Sequence, residues 1–200
     1  MLVFRPTSGY VSAILVEEVY APVHTEPPFD SVRFRHVLGH LPTGVGVVTA
    51  TDSDGRPAGM AVGSITSVSL TPPLIAFLPA KSSTTFPRIR SASSFCVNIL
   101  ATDQQPLCAT FAKSGGDKFA DVAWHPSRSG SPILAGVVAW VDCAIDAVHE
   151  AGDHYIVVGA VLDLDVPATC RPLVFYQGGY HSLDSDVETT GHLTTWSGRR

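Results

Sequence analysis

Two long runs of alternating residues, separated by one short turn, constrain this chain more than any other feature. In Val137–Ala147 the odd positions Val137, Ala139, Val141, Cys143, Ile145 and Ala147 are all apolar, and the even positions include Asp142 and Asp146. Tyr155–Val166 repeats the pattern, with Asp163 and Asp165 set between Leu162, Leu164 and Val166. A period of two is the signature of a strand with one buried and one wet face. The intervening Glu150-Ala151-Gly152-Asp153 reads as a tight turn, so the two runs form one antiparallel hairpin. A chain with such a hairpin is a β protein, and the rest of the sequence has to supply the other strands.

The remainder does so in short pieces. Fifteen prolines and seventeen glycines in 200 residues suit short strands joined by turns better than a helical bundle. Val45–Thr51 is rich in β-branched residues and ends in the hairpin turn Asp52-Ser53-Asp54-Gly55. Met60–Leu70 reads as extended chain with small residues, closed by Thr71-Pro72-Pro73. Leu74–Leu78, Ser94–Leu100 and Leu173–Tyr176 are further strands. Three short helices interrupt them. The first is capped by Asp30 and carries Phe34, Val37, Leu38 and Leu41 as one apolar stripe until Pro42-Thr43-Gly44 stops it. The second is capped by Thr84 or Thr85, with Pro87 in its first turn, and reaches Arg90. The third covers about Asp103–Ala112 after Thr102. Lys113–Asp117 is a glycine-rich loop and Asp121–Pro132 is irregular. With about seven or eight strands and no regular strand–helix alternation, the fold class is mainly β, an antiparallel barrel that is closed or partly open. The organisation is an N-terminal extension over 1–28, holding a candidate edge strand at Tyr10–Tyr20, one domain over 29–183, and a polar tail over 184–200 expected to be disordered.

Charge and cysteine usage exclude several classes. The net charge of −5 comes without any lysine or arginine run, so a nucleic-acid surface is not expected. Cys96, Cys108, Cys143 and Cys170 show neither a CxxC pair nor zinc spacing, and read as free thiols of a reducing compartment. His36 and His40 lie four apart on the first helix but lack a third ligand, so no metal site is predicted. Gly9–Ala21 is too short to span a membrane and is interrupted by Glu17 and Glu18; no membrane association and a cytoplasmic location are expected. No Gly-x-Ser-x-Gly elbow and no GxGxxG crevice is present, which removes the common hydrolase and Rossmann readings.

Two segments carry chemistry of their own. Ala80-Lys81-Ser82-Ser83-Thr84-Thr85 joins an apolar strand to a helix start and offers an ammonium and four hydroxyls, groups that favour a phosphate; an ordinary capped helix beside a solvated lysine is the other reading. Ala61-Val62-Gly63-Ser64-Ile65-Thr66-Ser67-Val68-Ser69 alternates small polar with apolar residues, so a flat ring could approach its backbone; a plain amphipathic strand would look the same. His154, at the turn between the two long strands, is placed to reach a rim site.

Taken in order, Pro42-Thr43-Gly44-Val45, Gly59-Met60-Ala61, Ser64-Ile65-Thr66-Ser67-Val68-Ser69-Leu70, Pro72-Pro73-Leu74, Lys81-Ser82-Ser83-Thr84, Phe95-Cys96-Val97-Asn98-Ile99-Leu100, Asp117-Lys118-Phe119, Gly130-Ser131-Pro132, Gly152-Asp153-His154 and Pro172-Leu173 resemble the flavin reductase family, the reductase components of two-component flavin monooxygenases. The resemblance covers about residues 30–183. It implies an FMN-binding split barrel, a homodimer, FMN or FAD as flavin, and NADH or NADPH as hydride donor. It also implies a separate flavin-dependent monooxygenase that receives reduced flavin by diffusion. Carried over residue by residue, Thr43, Ala61, Val62, Gly63, Ser64, Ile65, Thr66, Ala80, Lys81, Ser82, Ser83, Asn98 and Ile99 would line the flavin. Gly152, Asp153 and His154 would meet the nicotinamide, with His154 nearest and catalytic, and Tyr180 would lie near the same pocket. Many relatives have Asn at the position of Gly63 and Arg-Phe where this chain has Thr110-Phe111; Phe111 is kept in the cofactor set, and Lys113 is the candidate replacement for the lost cation. A non-catalytic flavin-binding protein and a related flavin-dependent oxidase on the same barrel are the alternatives.

Overall fold

The structure is a computed structural model and describes residues 28–183. The candidate strand at Tyr10–Tyr20 and the C-terminal tail fall outside the described residues. Seven strands form one antiparallel sheet: β2 (Gly46–Thr51), β3 (Pro57–Val62), β4 (Ile65–Leu70), β5 (Pro73–Phe77), β6 (Ser94–Ile99), β9 (Ala139–Ala151) and β10 (His154–Asp165), in the order β3-β2-β6-β9-β10-β5-β4. β1 (Thr43–Gly44) pairs with β11 (Leu173–Tyr176), which forms a hairpin with β12 (Gly179–Ser182). β7 (Trp124–Pro126) and β8 (Pro132–Leu134) make a third, two-stranded unit. The helices are α1 (Ser31–Leu38), α2 (Phe86–Ser91) and α3 (Gln105–Ala112), the last preceded by a 3₁₀ turn at Thr102–Gln104.

β3 and β4 are consecutive in sequence yet occupy the two ends of the sheet, so the sheet has to curl. Its interior shows that it does. Ala58 and Val62 from one end share a core with Phe77 of β5 near the other, around Val48, Phe95, Val97, Cys143 and Val157. Gly46 of β2 lies so close to Ile65 of β4 that a Cβ there would fall 2.5 Å from the Ile65 Cδ1. A side chain at Gly159 would likewise collide with the Phe95 ring. Two glycines therefore set how tightly the barrel closes. A second core lies outside the barrel wall, where Val45, Val47, Leu100, Cys108, Phe111, Phe119, Leu134 and Leu173 pack under α3 and β11.

The long hairpin, expected from the alternation, pairs from His154↔Ala151 at the turn to Asp165↔Trp140 at the far end. Gly152 takes φ 59°, a conformation the first central residue of such a turn needs and that a branched side chain resists. One reading of its alternation is corrected. Asp142 does not face water; it is fully buried beneath the Ser127–Ser131 loop and accepts hydrogen bonds from the Ser129 N–H at 2.9 Å and the Ser129 hydroxyl at 2.6 Å. A loop covers the face that the pattern alone leaves wet, and its donors meet the cost of burying the carboxylate.

Other expectations shift locally. Met60–Leu70 is not continuous: Gly63 and Ser64 break it into the two edge strands. Asp30 caps α1 by accepting from the Arg33 N–H at 2.8 Å. The stripe of Phe34, Val37, Leu38 and Leu41 nonetheless faces outward and is exposed, because nothing among the described residues buries that face of α1. Helix α2 is capped neither by Thr84 nor by Thr85; the Ser83 hydroxyl accepts from the N–H groups of Thr85 and Phe86 instead. Cys96, Cys108 and Cys143 are buried free thiols and Cys170 is an exposed one.

Candidate functional site

The site is built where the barrel closes. Strand β5 leaves the sheet at Leu78, whose N–H donates to the Ser64 carbonyl at 3.2 Å while its carbonyl accepts from the Ser64 hydroxyl at 3.2 Å. This double contact ties the break between β3 and β4 to the segment leading to Lys81. Three residues on, the same segment meets the β9–β10 turn. The Tyr155 N–H donates to the Pro79 carbonyl at 2.9 Å, Ala80 bridges to His154, and the Lys81 N–H donates to the Asp153 carbonyl at 2.8 Å. On the other side of the break, a Cβ at Gly63 would sit 3.1 Å from the Thr43 hydroxyl oxygen. Thr43, Gly63, Ser64, Ala80, Lys81 and the Gly152-Asp153-His154 turn therefore form one continuous rim, held together by the backbone.

The charged groups on this rim pair among themselves. Lys81 Nζ lies 2.8 Å from the Glu150 carboxylate and 5.6 Å from the centre of the Tyr155 ring. The ion pair lifts the Lys81 ammonium above its ordinary range and holds the Glu150 carboxyl below its own. Asp153 is 94% exposed and its carboxylate meets His154 Nδ1 at 2.7 Å; that contact keeps the Asp153 carboxyl below the usual carboxylate range, with a smaller contribution from the charge of Arg35. With Nδ1–H donated to Asp153, His154 Nε2 is the free ring atom.

The remaining sequence-derived positions divide by where their side chains go. Ala61 packs against the outer core, and Ser82 and Thr66 are exposed, the Thr66 hydroxyl donating to the Ser67 carbonyl. Ser83 is spent on capping α2. Val62, Ile65 and Ile99 turn into or against the barrel core, so only their backbone is available to a ligand. Asn98 is corrected as a ligand side chain: it is fully buried, its amide donates to Val47, Cys96, Pro132 and Thr49 oxygens, and its carbonyl accepts from the Leu134 N–H at 2.8 Å. Buried among its own chain's partners, the side chain is not presented to the rim. Phe111 is corrected as well; it is buried in the outer core, edge-on to Phe119 with ring centres 5.0 Å apart and pressed against Gly59. Lys113 caps the C-terminal end of α3 and is exposed. Tyr180 contacts Phe175 and shares a hydrogen bond with the Cys108 thiol at 3.3 Å, which together with burial pushes its hydroxyl up to about 12.

Sequence reasoning did not find Glu150 as the partner of Lys81, because strand pairing across 69 positions brings them together. It also gave no role to a groove of about 740 Å³ at the opposite end of β3, walled by Pro57–Gly59, Thr84, Thr85, Arg56, Arg88, Gly115–Phe119 and Trp124. Asp117-Lys118-Phe119, quoted as a motif, was the available signal.

The rim fits a flat ring bearing polar edges. Gly63 leaves a space beside Thr43 that a Cβ would fill, the backbone on either side of it belongs to the sheet's two edge strands, and His154, half-exposed, joins the same rim through its bridge to Ala80.

Comparison with known proteins agrees with this geometry. Residues 38–184 match the family model described as flavin reductase like domain. The chain is 56% identical over 151 residues to a flavin reductase of Pseudomonas putida, covering 76% of this chain and 89% of that protein. It is 45% identical over 157 residues to the reductase subunit HsaB of a flavin-dependent monooxygenase from Rhodococcus jostii, covering 78% and 80%. The fold superposes on the NADH:FAD oxidoreductase SgcE6 of Streptomyces globisporus, solved in complex with NAD and FAD fragments, with a TM-score of 0.76, 36% identity and coverage of 81% and 98%. With the motifs in register along the barrel and the match spanning most of the chain, this protein belongs to the flavin reductase like domain family.

Proposed function

We propose that the protein is an NAD(P)H-dependent flavin reductase that supplies reduced FMN or FAD to a separate flavin-dependent monooxygenase. The observation that carries the reading is the backbone junction at Pro79–Lys81, which sets the β3–β4 break and the Gly152–His154 turn on one rim. When bound, the flavin accepts a hydride from the reduced nicotinamide, and the cofactors supply that chemistry themselves.

The protein's task is to hold the two rings and to keep them in reach of each other. The backbone of Ala61, Val62, Gly63, Ser64, Ile65 and Thr66 offers N–H and C=O groups to the flavin's polar edge, and the Thr43 and Ser64 hydroxyls flank it. Donors there stabilise negative charge on the reduced ring. Lys81 and Ser82 face the polar chain of the flavin. His154, fixed through Nδ1 by Asp153, presents Nε2 to the nicotinamide as a positioning group, and Gly152 keeps the turn low enough for a ring to approach.

The exposed apolar stripe of α1, with Val32 and Phe34 beside Val37, Leu38 and Leu41, supports a homodimer in which a second copy covers it. Among the described residues no helix is long and apolar enough to cross a membrane; the proposed location is the cytoplasm. The deciding experiment crosses FMN, FAD and riboflavin with NADH and NADPH and follows loss of nicotinamide absorbance. Turnover with at least one pair is expected. A protein that binds flavin but oxidises neither nicotinamide would overturn the reading.

A further inference from the structure

The rim's one ammonium has a partner within the chain: Lys81 Nζ meets the Glu150 carboxylate at 2.8 Å. The two residues come from different elements. Lys81 follows β5, and Glu150 lies on β9 directly opposite Tyr155 of β10. Their freedom differs. The Lys81 side chain is only 33% exposed, its head stands 5.6 Å from the centre of the Tyr155 ring, and that ring packs on Phe86 with centres 5.2 Å apart. The Lys81 backbone is tied as well, its N–H donating to the Asp153 carbonyl. The Glu150 side chain is 76% exposed, and Lys81 is its carboxylate's one hydrogen-bond partner among the described residues. The ammonium is therefore held in place, and the carboxylate is free to leave it. The charge of Arg90, in the last turn of α2, also reaches Glu150 and gives a departing carboxylate a second cation to face. Among the rim residues Lys81 is the one fixed positive charge, against the two carboxylates of Glu150 and Asp153.

We infer that Glu150 is a specificity-determining residue: by competing for Lys81 it cancels the advantage a phosphate would give, so the rim selects a flavin by its ring and not by the group at the end of its chain. The inference deepens the flavin reductase reading and rests on it for the ring. A flavin phosphate carries about two negative charges near neutral pH and would readily take an unengaged ammonium. Here it has first to displace a carboxylate in direct contact, and then to sit beside two carboxylates that repel it. Riboflavin has the same ring and ribityl chain without the phosphate and meets neither cost. Because the pair is exposed, displacing Glu150 costs little, so the phosphorylated flavins are not excluded; they lose only their lead. A flavin held chiefly through its ring, with no strong electrostatic anchor, leaves readily, as a carrier of electrons to a separate protein must.

The test measures affinity for FMN and for riboflavin by flavin fluorescence, without nicotinamide, in full-length wild type, in Glu150→Gln and in the double variant Lys81→Met/Glu150→Gln. The ratio of the two affinities isolates the phosphate, because ring contacts and any loss of folded protein cancel. In wild type the two affinities are expected to agree within about 3-fold. Glu150→Gln should raise the preference for FMN about 3-fold, the scale of one exposed charge pair, with riboflavin affinity unmoved. The double variant removes both charges and should return to the wild-type ratio, a reversal that a merely structural role for Glu150 does not produce. A wild-type preference for FMN of about 10-fold or more, the scale of an unopposed charge-assisted contact, would overturn the inference. So would flavin binding with the same ratio in wild type and Glu150→Gln, or a gain that persists in the double variant; each of these leaves the flavin reductase reading standing. Absence of flavin binding to wild type would overturn both.

Discussion

Two hairpin turns of this barrel each carry an aspartate, and their environments are opposite. At the β2–β3 turn the Asp52 side chain is 6% exposed and accepts from the Asp54 and Arg56 N–H groups and from Arg88 Nε and Nη2. At the β9–β10 turn the Asp153 carboxylate is almost wholly exposed and meets only His154. The first carboxylate has its capacity filled by its own chain, so it holds structure. The second orients a neighbouring ring and leaves the rest of the turn open to a ligand. Both turns carry an aspartate and a glycine; what separates the two carboxylates is how many donors the fold has already assigned to each.

The sharpest way to break this contrast is Asp52→Asn. It leaves one oxygen to serve two backbone N–H groups and Arg88, sets an amide NH2 donor where the other carboxylate oxygen stood, and removes the charge that pairs Arg88; a fall in Tm of about 5 °C or more is expected by thermal unfolding. If Asp52→Asn lowered turnover and spared Tm, the division between the turns would fail. The pH dependence has a definite sign. Arg88, then the Arg56 N–H, hold the Asp52 carboxyl below its unfolded value of 3.8. Its contribution is complete above that value and is lost as pH falls through the depressed folded one, so wild type should lose stability more steeply below about pH 4 than Asp52→Asn does.

His154→Gln reverses the pattern at the other turn. It should cost about 10- to 100-fold in kcat/KM for the nicotinamide with Tm nearly unchanged, if the half-exposed ring serves as the proposed positioning group. An equal loss of stability would make this histidine a structural one. The smallest effect belongs to Glu150→Gln. Its pair with Lys81 is exposed, so Tm should move by less than about 1 °C, while the freed ammonium should shift the KM for flavin no more than about 3-fold, read from initial rates.

Much of this arrangement was legible in the order of residues. Alternation gave both long strands, Asp-Gly and Gly-Asp gave both tight turns, and Asp30 gave the start of α1. Each rests on neighbours in sequence, where local sterics decide. What was not legible depends on partners far along the chain. Asn98 was set beside the flavin by the family resemblance alone; its actual partners include Pro132 and Leu134, more than thirty positions away. Phe111 looked like a wall of the cofactor site and packs instead on Phe119 and Gly59. Asp142 looked wet until the Ser129 loop covered it. The Lys118 groove stayed hidden because its cations come from three separate elements, and no window of sequence contains them together.

The buried thiols bear on what such a protein must endure. Reduced flavin that escapes into air yields hydrogen peroxide, an oxidant that attacks thiolates in preference to thiols. Burial, reinforced by the nearby Asp142 charge, pushes Cys143 up to about 12 and Cys96 higher still, so both remain protonated in the sheet. Burial first, and the Asp142 charge second, thus hold these two thiols in their unreactive form, while Cys170 lies exposed at the surface, where an oxidant can reach it.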